Sequence, residues 1–107
     1  MEQLSTIQKR NNLNDVCRLG EEGPGGAYHT YGVFLKGAEY ETTEDYCHLI
    51  EFQRGPRSDE NSRHGVTNDD LLEIVRDRLK CLQKGPMATR ENEHALMHVE
   101  EALLWLK

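Results

Sequence analysis

The stretch Ala95-Leu96-Met97-His98-Val99-Glu100-Glu101-Ala102-Leu103-Leu104-Trp105-Leu106 decides the fold, because nine of its twelve positions are apolar and recur with a helical period. Residues 95, 99, 102 and 106 form one stripe. Leu96, Leu103 and Trp105 widen it beyond the roughly 100° arc of an ordinary surface helix. A helix this apolar must meet another element or another chain. Leu71, Leu72, Val75, Leu79 and Leu82 make the face of a preceding helix, with Ile74 beside them and Glu73, Arg76, Asp77 and Lys80 largely opposite. Thr67 stands where a hydroxyl can accept from an early backbone amide, and Asp69 and Asp70 complement the positive helix end. Thr89 plays the same part for the terminal helix, with Glu91 in its first turn. The link Lys84-Gly85-Pro86 is a turn, and a connection this short predicts an antiparallel helical hairpin over residues 67–107.

Upstream, Tyr28, Thr30, Tyr31, Val33, Phe34 and Leu35 have strong β propensity, as does the run Tyr46 to Phe52 across an acidic connection containing Gly37. They predict a β-hairpin within 27–54. Gly23-Pro24-Gly25-Gly26 ends whatever precedes it, since glycine reaches positive φ cheaply and proline lacks an amide hydrogen. Residues 1–22 are polar with sparse Leu4, Ile7, Leu13, Val16 and Leu19, a spacing that predicts one short helix around Leu13 to Leu19. The fold class is therefore α+β: a small antiparallel sheet followed by the helical hairpin, one domain over 1–107, assembled as an oligomer. A chain of 107 residues, 36% hydrophobic and 30% charged, hides only somewhat more than about 60% of its unfolded surface, so subunit packing is expected to supply stability.

The net charge of -6 argues against a general electrostatic grip on duplex nucleic acid or an anionic membrane, so any anion site must be local. Cys17, Cys47 and Cys81 are odd in number and lack a C-x-x-C pair, which fits neither a disulfide framework nor a structural zinc site. No apolar run approaches the ~18 residues of a membrane span, and the start Met1-Glu2-Gln3-Leu4-Ser5 is polar rather than a signal peptide. A cytoplasmic protein is expected.

The densest anion-binding set is the loop Arg54, Gly55, Arg57, Ser62, Arg63, His64 and Gly65, followed by the capped helix start at Thr67 and Asn68. Arginine's planar fork binds phosphate through two hydrogen bonds, and a helix start offers unpaired amides in a positive field. Asp59 and Glu60 keep the competing reading open, a solvated loop of balanced charge. A second set, Gly23 to Gly26 with Tyr28, His29 and Tyr31, offers close backbone approach and aromatic rings for a base. It reads equally as a turn leading into a half-buried strand. No Gly-Lys-Ser or Gly-Lys-Thr follows, so it is not a P-loop. His94, His98 and Glu101 share a helix face, but the glutamate after the first histidine of a metalloprotease helix is absent, and they read as a polar seam. Neither Cys47 nor Cys81 has a base placed to activate it, so no metal, cofactor or nucleophile is assigned.

Phe52-Gln53-Arg54-Gly55-Pro56, His64-Gly65-Val66-Thr67-Asn68, Leu71-Leu72-Glu73-Ile74-Val75, Asp77-Arg78-Leu79, Arg90-Glu91-Asn92 and the closing Glu100-Glu101-Ala102-Leu103-Leu104-Trp105-Leu106 together resemble small phage and prophage proteins. The helical hairpin is similar to that of phage anti-CBASS and anti-Thoeris sponge proteins. The resemblance spans roughly residues 28 to 107. It implies a hexameric, dimer-based assembly that sequesters cyclic oligonucleotide or cyclic ADP-ribose immune signals without cleaving them, in the cytoplasm of a bacterial host. The positions that carry over are Arg54, Gly55, Thr67 and Asn68 around the first helix start, and Arg90 and Asn92 around the second.

The sequence thus predicts a non-enzymatic binder of a small phosphorylated signalling nucleotide, without cofactor, duplex nucleic acid or membrane as partner. Arg54, Gly55, Arg57, Arg63, His64, Thr67, Asn68, Arg90 and Asn92 are the expected phosphate-side residues, and Tyr28 or Tyr31 stacks on a base. Leu96, Val99, Leu103, Trp105 and Leu106 are expected to join subunits. The alternatives are a protein-interaction module docking through the Trp105 helix, and a nucleotide-degrading enzyme.

Overall fold

A computed structural model describes residues 1–8, 12–37 and 47–107. The acidic connection and Tyr46, at the start of the second expected strand, lie outside the described residues. The chain forms two compact units, Met1–Val66 and Thr67–Lys107.

The first unit is a four-stranded antiparallel sheet of sequential strands: β1 (Glu2–Gln3), β2 (Asn14–Leu19), β3 (Thr30–Leu35) and β4 (Cys47–Glu51). The expected β3–β4 pair is present, with Tyr31 opposite Ile50 and Val33 opposite His48. The helix expected around Leu13 to Leu19 is not: Asn14–Leu19 is β2, paired along its whole length with β3. Its sparse apolar residues carry too little helical periodicity to outweigh two strand partners, so tertiary pairing overrides a weak local pattern. Gly20, at φ 74, turns the chain out of β2. Asp15, Cys17, Gly32 and Phe34 share one sheet face by alternation and register. Cys17 and Phe34 are the fully buried hydrophobic residues among those described.

The second unit is the helical hairpin, α1 (Asn68–Gln83) and α2 (Arg90–Trp105). Thr67 closes a reciprocal capping box: Asp70 N donates to Thr67 Oγ1 at 3.3 Å and Thr67 N donates to Asp70 Oδ2 at 2.9 Å. Asn92 N donates to Thr89 Oγ1 at 3.0 Å, capping α2. Gln83 spans the turn, giving Nε2 to Thr89 O and accepting from Thr89 N, both at 3.0 Å. Arg76 departs from the expected polar face. It is half-buried, and its Nε donates to Glu100 Oε2 at 2.8 Å, which joins the antiparallel helices. Val75, expected on the inner face, is 42% exposed. The true seam is rotated because a long guanidinium can lay its stem on apolar surface and keep its head paired. No residue of either helix is fully buried.

Candidate functional site

Two sets of residues far apart in sequence meet in the sheet unit. The chain leaves β4 through Phe52 and returns at Val66. Gln53 N donates to Val66 O at 2.8 Å, and Arg54 and Arg63 exchange backbone bonds at 2.8 and 2.9 Å. These bonds close the arginine loop into a narrow excursion. Gly55, at φ 86, allows the turn, and Asp59 organises the tip by accepting from Asn61 N at 2.9 Å and from Ser62 Oγ at 2.7 Å. Asp59 therefore serves the loop's own turn, and Gln53 links Gly55 O at 3.0 Å to Gly65 N at 3.2 Å.

The glycine turn arrives beside this loop. A Cβ placed on Gly23 would lie 3.4 Å from Arg54 Nη2 and 3.0 Å from His29 Cδ2. Arg54 therefore sits next to the Gly23–Gly26 turn, which places parts of the two separate sequence sets on one surface. His29 Nε2 lies 2.8 Å from Pro24 O, so that nitrogen carries the proton and donates. Arg54 is exposed, and its guanidinium makes no hydrogen bond or ion pair among the described residues.

The three loop arginines occupy different situations. Arg63 Nη1 donates to Thr30 Oγ1 at 3.1 Å, and Nη2 donates to His29 O at 2.7 Å and Phe52 O at 3.1 Å. Its Nε lies 3.8 Å from Glu51 Oε2 without a hydrogen bond. Arg57 has one long bond, Nη2 to Gly65 O at 3.3 Å, and is exposed. His64 is also exposed. The aromatic residues are partly engaged: Arg18 Cζ lies 4.7 Å from the Tyr28 ring centroid, and Tyr31 meets Phe52 edge-on at 5.7 Å. The Arg18–Tyr28 contact has a sequence signal only once β-register is known, because Arg18 is opposite both Glu2 and Tyr31.

The helix-start residues belong to the hairpin unit. Thr67 and Asn68 open α1, whereas Arg90 and Asn92 open α2 at the other end of the hairpin. A 16-residue helix separates these ends by about 24 Å at 1.5 Å per residue. Within one chain they cannot grip the same phosphate. Of the residues expected to join subunits, Leu96, Val99 and Leu103 are half-buried, whereas Trp105 is 82% and Leu106 42% exposed. Exposed Ile74, Met97 and Leu104 extend the available apolar surface. No helix among the described residues is long and apolar enough to cross a membrane.

Residues 48–107 match the hairpin domain of the Acb2/Tad1 family. Over 57 residues the chain is 42% identical to Thoeris anti-defense 1 of Bacillus phage SBSphiJ7, an alignment that takes in 53% of this chain and 39% of that protein.

Proposed function

This chain belongs to the Acb2/Tad1 hairpin-domain family, and from that membership we propose that it is a phage anti-defence protein that sequesters a cyclic nucleotide or cyclic ADP-ribose-type immune signal without cleaving it. The observation that carries the proposal is Arg54, exposed and without a partner among the described residues, beside a glycine turn that lets a ligand approach the backbone. Arg57 adds a second weakly held cation on the same loop. Tyr28, stacked by Arg18 on one face and following the glycine turn in the chain, is the ring proposed for a base. Binding alone suffices for sequestration, since a captured messenger no longer reaches its receptor.

Copies of the chain associate through the hairpin. Two helices with no fully buried residue do not complete a core, and Ile74, Met97, Leu104 and Trp105 leave apolar surface exposed on them. A second copy supplies the same surface and can bring an α1 start near an α2 start, which one chain cannot do.

Calorimetry against a panel of cyclic dinucleotides, cyclic trinucleotides and cyclic ADP-ribose tests the proposal, followed by chromatography of ligand released on heating. Binding with intact ligand recovered is the expected result. Chemically altered ligand would instead make the protein an enzyme, and failure to bind any member would favour a protein-docking role for the Trp105 helix.

A further inference from the structure

We infer that Arg63 is a positioning residue that buckles the arginine loop onto the sheet and so aims Arg54, with Arg57, at the anion. The inference rests on the ligand reading above and divides the loop's arginines into two roles that composition cannot separate.

Arg63 reaches 33 or 34 residues back to Thr30 and His29, and 11 residues back to Phe52. Its guanidinium thus joins the start of β3, the exit from β4 and the returning arm of the loop. His29 O accepts from both Arg63 Nη2 at 2.7 Å and Phe52 N at 2.8 Å, so the buckle fastens the residue whose ring lies beside Gly23. Arg54 is the backbone partner of Arg63 across the loop, so fixing one fixes the origin of the other's side chain. An anion taking the terminal nitrogens of Arg63 would strip that donor from Phe52 O and Thr30 Oγ1 and leave His29 O with Phe52 N alone, which is costly for part-buried groups. Arg54 loses nothing comparable when it turns to a phosphate, since its guanidinium holds no partner among the described residues. Charge-assisted bonds from an uncommitted guanidinium are therefore available at Arg54 and not at Arg63.

The test is an amide-resolved NMR titration with inorganic pyrophosphate, a probe with the phosphate chemistry but no base, on the unaltered protein, Arg54→Ala, Arg63→Gln and the double variant. Arg54→Ala is expected to weaken binding about tenfold or more, corresponding to loss of a charge-assisted bond. Arg63→Gln is expected to weaken binding about tenfold when Arg54 is present but less than about twofold in the Arg54→Ala background, since coupled residues are not additive. Amide exchange at residues 55–62 should quicken in Arg63→Gln even without probe. Thr30→Val removes one acceptor while keeping a β-branched strand residue, and a smaller loss of about threefold is expected. This variant carries the test if Arg63→Gln does not fold. Additive losses would mean that Arg63 touches the anion itself, and unchanged affinity or loop exchange would mean that it positions nothing. Either result overturns the inference, as does absence of pyrophosphate binding by the unaltered protein. If pyrophosphate binds but no cyclic nucleotide binds more tightly, the buckle stands and the nucleotide reading falls.

Discussion

Gly65→Ala is expected to unfasten the base of the arginine loop. A Cβ at this position would lie 2.6 Å from the carbonyl carbon and 2.7 Å from the oxygen of Phe52, and would also press on Glu51 O. All three are backbone atoms of the strand exit, so no side-chain rotation relieves the clash. The backbone φ of Gly65 is not in the left-handed region, which makes the penalty one of space rather than conformation. Relief requires Gln53 N–Val66 O and Val66 N–Glu51 O, at 2.8 and 3.0 Å, to lengthen or part. Two weakened backbone bonds at about 1 kcal/mol each and an overpacking cost of about 1 to 3 kcal/mol, less about 0.5 for the stiffer unfolded chain, give roughly 2.5 to 4.5 kcal/mol. With a urea m-value of about 1 to 1.5 kcal/mol/M for a small unit, the midpoint should fall by more than about 1 M. NMR peaks of the Cys17 and Phe34 amides report the sheet unit specifically. Gly85→Ala is the matched control, because nothing lies within 4 Å of a Cβ there and its φ is not left-handed. A Gly65→Ala protein within about 0.5 kcal/mol of the unaltered one would refute the steric account.

Thr67→Ala removes the hydroxyl side of the capping box and should cost about 1 kcal/mol, read as lower helicity and an earlier hairpin transition. Arg76 is held above its ordinary pKa first by its hydrogen bond to Glu100, with Glu100 and Glu73 also favouring the charged form against desolvation. A raised cationic pKa stabilises fully below the unfolded value and fades only as pH rises through the folded one, far into alkali. The shift at Arg76 should therefore make no contribution to any stability change between about pH 6 and 10. Arg76→Gln should lower the hairpin's melting temperature by an amount that shrinks in high salt. Leu104→Ser combined with Trp105→Ser should shift the light-scattering mass toward that of one chain while the helical circular dichroism persists; unchanged mass would remove this surface from the assembly.

The hairpin was legible because its instructions are local. Thr67 with Asp70 and Thr89 with Asn92 mark helix starts within three residues, and the apolar spacing of Leu71 to Leu82 and Leu96 to Leu106 needs no distant partner to be recognised. The paired strands β3 and β4 were legible for the same reason, since β-branched and aromatic runs bounded by glycine carry their own signal.

Three features lay beyond local reading. Asn14–Leu19 became a strand because β1 and β3 offered it backbone partners on both sides, a choice its own side chains barely express. Arg76 turned inward because Glu100, 24 residues away, was there to receive it. Arg54, Arg57 and Arg63 are chemically identical in the sequence, and only the folded sheet separates them, by placing three acceptors around one guanidinium and, among the described residues, none around another. The sequence by itself determined the helix ends, the helical periodicity and the supply of cations. Tertiary structure alone decided which cation is bound and which is free, because a hydrogen bond depends on where distant backbone carbonyls are brought, and that position belongs to no single segment.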